Sequence, residues 1–375
     1  MRYYLIAGEA SGDLHGSNLI KELKKLDTTA DMRCWGGDKM EDAGAVLVKH
    51  YKELAFMGFA EVIKNLPTIF KNLSFCKKDI LLFKPDVLIL IDYPGFNLRI
   101  AKWAKQQGLK VIYYISPQVW AWKESRVKQI KQYVDKMIVI LPFEKEFYKK
   151  WNYDADYVGH PLVEVIEAFN KYEHPLPGIN DKPVIALLPG SRKQELSVKL
   201  PIMLQVSQFF PDYQFVVAKA SSIDPGFYDD IINSIPDKAK NISSLTGQTY
   251  ELLSHATAAL VTSGTATLET ALFHVPQIVC YKGSEVSYQI AKRLIKLKYI
   301  SLVNLIMDKE VVRELIQHEL TVDNIRRELN EILNNKMANE RIKKDYESLT
   351  EQLSQQGTAS EKAARIIYNQ VSHIS

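Results

Sequence analysis

No stretch of this chain approaches the ~20 consecutive apolar residues needed to cross a bilayer. The first residues also lack the basic segment and long apolar core of a secretory signal. The expectation is a soluble protein, or one held at most on a membrane surface. Cysteine is scarce. Cys34, Cys76 and Cys280 are odd in number and far apart, which argues against a disulfide framework or a metal-ligand cluster. Such usage fits a reducing cytoplasm. Excess charge is missing too. A formal net charge of +4 over 375 residues gives no case for nucleic-acid binding. There is no internal repeat and no low-complexity tract. There is also no Walker lysine motif and no metal-binding D-x-D at a strand end, so no metal or cofactor is expected.

What is present is ordinary for a globular chain: 46% apolar and 25% charged residues. At this length two domains are expected. Short apolar runs alternate with helical stretches, the βαβ rhythm of a parallel sheet. Tyr3–Ala7, Val87–Ile91, Val111–Ile115 and Lys136–Leu141 read as strands. A proline-rich stretch, residues 172–183, reads as a linker. The rhythm then restarts with strands at Val184–Leu188, Tyr213–Ala218, Ala258–Thr262 and Gln277–Tyr281. The last segment, Asp323 to Val371, reads as helical and charged. The fold class is α/β, two doubly wound domains over residues 1–172 and 183–345. Two such domains imply a cleft between their strand C-terminal edges, where open α/β sheets bind ligands.

The strand-end loops carry the chemistry. After the first strand comes Gly8-Glu9-Ala10-Ser11-Gly12-Asp13-Leu14-His15-Gly16. Its glycines stand at 8, 12 and 16, the wrong spacing for the dinucleotide fingerprint G-x-G-x-x-G. Glu9 and Asp13 would repel a phosphate, so the loop suits hydroxyl groups. The plainer reading is a simple turn with Asp13 as helix cap. Asp92, just past a buried strand in Asp92-Tyr93-Pro94-Gly95-Phe96-Asn97, is either a general base or a turn-former before Pro94. Two indoles in Ser116-Pro117-Gln118-Val119-Trp120-Ala121-Trp122 either stack on a sugar, line an acyl pocket or pack.

In the second half, Gly190, Ser191 and Arg192 open a helix. Glycine admits a ligand to the backbone there, arginine supplies a fixed cationic fork, and the helix start adds free N–H groups. Ser263-Gly264-Thr265 opens another helix after a strand, a turn suited to a diphosphate. Glu269 lies one turn in, placed to accept from ribose hydroxyls. A capping box is the alternative, and it would need Ser or Thr at 266, which is Ala. Phe56, Phe59, Ile63, Leu66, Phe70 and Leu73 share one helical face near several lysines. That face is either an interfacial helix on a membrane or a helix packed on the sheet.

Taken together these motifs resemble the lipid-A-disaccharide synthase family, glycosyltransferases of the two-domain GT-B architecture. The resemblance runs from Gly8–Asp13 through Asp92–Asn97, Ser116–Trp122, Leu141-Pro142-Phe143-Glu144, Val158-Gly159-His160-Pro161, Leu188–Arg192 and Ser263–Glu269 to Ser301-Leu302 and Asn304-Leu305. Val303, Lys282 and Glu164 depart from its pattern. The resemblance implies transfer of 2,3-diacylglucosamine from UDP-2,3-diacylglucosamine to the 6-hydroxyl of 2,3-diacylglucosamine 1-phosphate. Asp92, Arg192 and Glu9 would be catalytic, Asp92 as candidate base. Ser11, Asn97, Gly190, Ser191, Ser263, Gly264, Thr265, Glu269 and Asn304 would contact substrate. Phe59, Val62, Ile63, Leu66 and Phe70 would meet acyl chains or membrane. It also implies a peripheral protein on the cytoplasmic face of the inner membrane, with residues 346–375 returning to the first domain. Oligomerisation is open. Another GT-B enzyme acting on UDP-GlcNAc, or a UDP-sugar or lipid-binding protein without catalysis, remains a competing reading.

Overall fold

The computed structural model describes residues 1–54, 66–122, 124–176, 181–235, 241–285, 288–289 and 297–372. The chain forms two compact units, Met1–Pro161 with Leu353–Ser375, and Leu162–Gln352. The passage between them falls at Pro161, ahead of the proline-rich stretch, because the helix Pro161–Phe169 packs in the second unit. Phe169 there meets Tyr250 and Phe273 edge-on, at 5.6 and 5.7 Å between ring centres. The helix Lys336–Leu353 also belongs to that unit: Gln277 Nε2 donates to the buried Tyr346 hydroxyl at 3.2 Å. The chain returns at Leu353. Leu353 O accepts from His160 N at 3.0 Å, and the helix Ala359–Ser372 packs on the helix Ala10–Leu26.

The first unit holds a seven-stranded sheet. Its strands are β1 (Arg2–Ala7), β2 (Asp31–Gly36), β3 (Val46–His50), β4 (Val87–Ile91), β5 (Val111–Tyr114), β6 (Lys136–Val139) and β7 (Ala155–Tyr157). They lie in the order β3-β2-β1-β4-β5-β6-β7, all parallel. The second unit holds β8 (Val184–Leu188), β9 (Gln214–Lys219), β10 (Ile242–Thr246), β11 (Ala256–Thr262), β12 (Gln277–Tyr281) and β13 (Arg313–Ile316). Their order is β10-β9-β8-β11-β12-β13, again all parallel. Both units are Rossmann-like doubly wound sheets.

Central strands are apolar on both faces because helices cover both. Tyr3, Tyr4, Leu5, Ile6 and Ala7 are all fully buried, as are Val87 to Ile91. Tyr4, Ile6, Leu88, Leu90 and Tyr113 share one core cluster with Ile80, Ile100 and Tyr148 from the covering helices. Burying each large apolar side chain contributes roughly 1.5–3 kcal/mol. Each sheet reverses its winding once, between β1 and β4 and between β8 and β11. Such a switch point leaves a crevice at the strand C-terminal edge where ligands bind.

Candidate active site

The loops singled out from the sequence lie at these two switch points. In the first unit, Ala7 of β1 pairs with Ile91 of β4, and Ile91 with Tyr114 of β5. The loops after the three strands therefore share one edge. Gly8 is needed there for space: a Cβ would lie 2.3 Å from the Tyr93 ring. Glu9 and Ser11 are exposed at the start of the helix Ala10–Leu26, and Glu9 makes no side-chain cap. Asp13 does not cap its own helix. It is buried, and its carboxylate accepts from Gly37 N (2.8 Å), Met40 N (3.1 Å) and Lys39 N (3.3 Å) at the head of the helix Asp38–Asp42.

Asp92 stands on strained backbone. Its φ is +43°, that of Tyr93 is +49° and that of neighbouring Ile115 is +65°. Left-handed conformations of this kind cost roughly 1–3 kcal/mol each in non-glycine residues and cluster at functional sites. The surrounding bonds hold Asp92 in place. Its carbonyl accepts from Tyr113 Oη at 2.5 Å and Asn97 Nδ2 at 2.8 Å. Burial, and next the negative charge of Glu9, push the Asp92 carboxyl up to about 7, against one backbone hydrogen bond from Tyr93. A half-buried carboxyl of that strength suits a base working near neutrality.

Asn97 is fully buried, and its amide also reaches the carbonyls of Ile91 (3.2 Å) and Ile6 (3.3 Å). It shapes the strand ends rather than presenting itself to a ligand. Beside it, Ser116 Oγ and Tyr148 Oη lie 2.7 Å apart, and Trp120 Nε1 donates to buried Glu144 at 3.2 Å. Burial lifts the Glu144 carboxyl to about 7, although Leu141 N, Trp120 and Ile140 N all donate to it. Glu144 thus fixes the aromatic loop. The side chain of Trp122 lies outside the described residues.

In the second unit the strand-end loops turn on two glycines. Gly190 (φ +100°) and Gly264 (φ +144°) turn the chain where only glycine is unstrained. Arg192, exposed at 71% of its side chain, is the N-cap of the helix Lys193–Gln205 and donates to Glu195 at 3.2 Å. Ser191 is exposed beside it. Gly264 is the N-cap of the helix Thr265–Leu272 and, lacking a side chain, caps none of its first N–H groups itself. Both Gly264 and Thr265 are exposed. Ser263 Oγ donates to Ile300 O at 2.9 Å. Glu269 accepts from Tyr250 Oη at 2.9 Å, and burial raises its carboxyl despite that bond. No capping box forms.

Asn304 has no hydrogen-bonding capacity to spare. It is fully buried, donating to Val312 O (2.8 Å) and Glu314 Oε1 (2.9 Å) and accepting from Val311 N (2.8 Å) and Val312 N (3.0 Å). Buried Glu314 also accepts from Ile300 N, Ser301 N and Ser301 Oγ. Together they build the loop on which Ser263 rests. Glu314 and Tyr250 carry no motif signal, so only their contacts reveal them.

Of the expected apolar helical face, Phe56, Phe59, Val62 and Ile63 lie outside the described residues, as does the Leu66 side chain. Within the helix Leu66–Phe83, Phe70 is 62% exposed while Leu73 is buried. The face is therefore split at its C-terminal end. Phe75, Leu81 and Leu82 extend the exposed side. Among the described residues no helix is long and apolar enough to cross a membrane.

Comparison with known proteins bears on this arrangement. The model of the lipid-A-disaccharide synthetase family matches residues 3–367. Lipid-A-disaccharide synthase of Geobacter metallireducens is 38% identical over 373 residues, covering 98% of this chain and 96% of the relative. That of Syntrophus aciditrophicus is 40% identical over 367 residues, covering 96% and 95%. Among solved structures, UDP-GlcNAc 2-epimerase from Neisseria meningitidis bound to UDP-GlcNAc has a TM-score of 0.68 at 14% identity, covering 100% of each chain. The glycotransferase of kitacinnamycin has a TM-score of 0.65 at 16% identity, covering 98% of each. The structural likenesses show a shared fold alone.

Proposed function

The chain belongs to the lipid-A-disaccharide synthetase family, and from that premise we propose the following reaction. It transfers 2,3-diacylglucosamine from UDP-2,3-diacylglucosamine to the 6-hydroxyl of 2,3-diacylglucosamine 1-phosphate. The products are UDP and a β-1′,6-linked disaccharide 1-phosphate. The observation that carries this reading is Asp92: a carboxyl raised to about 7 on strained backbone at a switch point. It takes the proton of the acceptor hydroxyl as that oxygen attacks the anomeric carbon. Attack from the face opposite UDP inverts that carbon. Glu9 and Ser11, exposed at the same edge, meet acceptor hydroxyls.

The second unit binds the donor. Charge grows on UDP as the glycosidic bond breaks, so fixed positive groups aimed at the diphosphate lower the barrier. Arg192, the Gly190–Ser191 turn and the N–H groups after Gly264 supply them. Glu269 with Tyr250 faces the ribose. Asn97 and Asn304 act through the loops they hold.

The acyl chains and a lipid surface are the further partners in this reading. Phe70, Phe75, Leu81 and Leu82 stand exposed on one helix with Lys71 and Lys78, a composition suited to an anionic membrane surface. The protein then works peripherally at the cytoplasmic face of the inner membrane. Phe70→Ser with Leu82→Ser should weaken sedimentation with anionic liposomes while the melting temperature holds. Undiminished binding would remove this face from the account.

The reaction itself is tested with purified protein, both acylated substrates and chromatography of UDP and disaccharide. Both products are expected in equal amounts. Equal turnover of unacylated UDP-GlcNAc would defeat the lipid assignment.

A further inference from the structure

The helix Lys193–Gln205 turns Leu196, Leu200 and Met203 inward, and all three are fully buried. Lys199 shares that burial, its side chain 1% exposed. An ammonium there is expensive, since burying an ion costs several kcal/mol unless it is well partnered. Its partners explain its place. Nζ donates to Glu195 Oε2 at 2.9 Å and to Thr262 Oγ1. Glu195 Oε1 in turn accepts from Arg192 Nη1 at 3.2 Å. Thr262 ends β11, immediately before Ser263-Gly264-Thr265. A Cβ on Gly190 would lie 3.1 Å from Thr262 Cγ2 and 3.7 Å from Glu195 Oε2. One buried cation therefore ties together the two loops assigned to the diphosphate.

We propose that Lys199 is a positioning residue for the leaving-group site, holding Glu195 so that Arg192 is free to turn onto the diphosphate. The inference rests on the donor-site reading above. Arg192, Glu195 and Lys199 sum to one positive charge. Without Lys199 they sum to zero, and Glu195 keeps Arg192 as its sole charged partner among the described residues. Arg192 would then have to leave that carboxylate to reach a phosphate. With Lys199 present the carboxylate is shared, and part of its pull on Arg192 is cancelled. The Lys199–Glu195 contact is buried at its ammonium end, where screening is weak.

The test is calorimetric titration of the full chain with UDP and, separately, with uridine, which lacks phosphates. Lys199→Met should weaken UDP about tenfold, the scale of one charge-assisted hydrogen bond, and leave uridine affinity unchanged. Adding Glu195→Gln to that variant should restore most of the UDP affinity, because the competing carboxylate is then gone. Glu195→Gln alone should tighten UDP, and it keeps the argument testable if Lys199→Met does not fold. Arg192→Ala serves as the reference. If it weakens UDP while Lys199→Met does not, the inference about Lys199 fails and the donor site stands. If Arg192→Ala leaves UDP affinity intact, the donor-site reading itself fails. Equal loss of UDP and uridine in Lys199→Met, no rescue in the double variant, or weaker UDP binding by Glu195→Gln would each overturn the positioning role.

Discussion

Replacing Glu9 with glutamine removes the second largest influence on Asp92 without touching the aspartate. The Asp92 carboxyl moves from an ordinary 3.8 to about 7, which corresponds to about 4 kcal/mol against the ionised form at 1.36 kcal/mol per pH unit. Burial is the larger cause and Glu9 the lesser. The Glu9 share is therefore under half, and Glu9→Gln should lower the titration by about one pH unit, about 1.4 kcal/mol. The sign follows from the role: a base works only when ionised, so activity rises with pH through the titration and fails below it. At pH 6 the wild type would be about one-tenth ionised and the variant about one-half, from the two titration points. Relative to its own plateau the variant should be roughly fivefold more active there. Initial rates of UDP release at sub-saturating substrate, from pH 5.5 to 9, follow the titration of the free enzyme. An acid limb unmoved in Glu9→Gln, or a wild-type limb near 4, would refute the coupling.

The raised Asp92 carboxyl also bears on stability. A group raised in the folded state contributes stability fully present below its unfolded value and lost as pH rises through about 7. In urea unfolding Asp92→Asn should therefore be more stable than the wild type at pH 8, by about 2–4 kcal/mol, and match it near pH 4. His15 and His160 work the other way. Burial, joined for His160 by the neighbouring His15, holds them at about 4 and about 3. Unfolding then becomes easier as pH falls from 6.5 toward 4, and His15→Leu should flatten that slope in urea titrations. Asn304→Ala strips partners from two amides, a carbonyl and Glu314, and should cost about 3 kcal/mol in urea unfolding. Gly264→Ala places a side chain at φ +144°, so UDP affinity should fall with a stability loss of about 1–3 kcal/mol.

The strands lining the switch points were legible because they are apolar throughout, as strands covered on both faces must be. The strands toward the sheet edges were not. Asp31–Gly36 opens with polar Asp31 and Arg33, and Ile242–Thr246 carries two serines on a half-exposed strand, so neither shows the continuous apolar run of the central strands. The strand-end candidates can be picked out by position, but their environment cannot. No glycine marks the left-handed turn at Asp92, Tyr93 and Ile115, since contacts from Tyr113 and Asn97 hold it. Asp13 was read as a local cap, yet its partners lie more than twenty residues away. Asn97 and Asn304 stand out as motif residues, and their full burial cannot be seen in a motif. Lys199 carries no sequence signal for the same reason, a lysine on a helix being ordinarily solvated.

On the proposed division of labour, Asp92 acts on the acceptor and the Arg192 edge of the second unit grips UDP. Asp92→Asn measured for both turnover and UDP affinity tests it most directly. Turnover of UDP-2,3-diacylglucosamine with its acceptor should fall about 100-fold or more, the contribution of a general base, while UDP binds as in the wild type. Turnover kept within a few-fold, or UDP affinity lost together with it, would contradict the account.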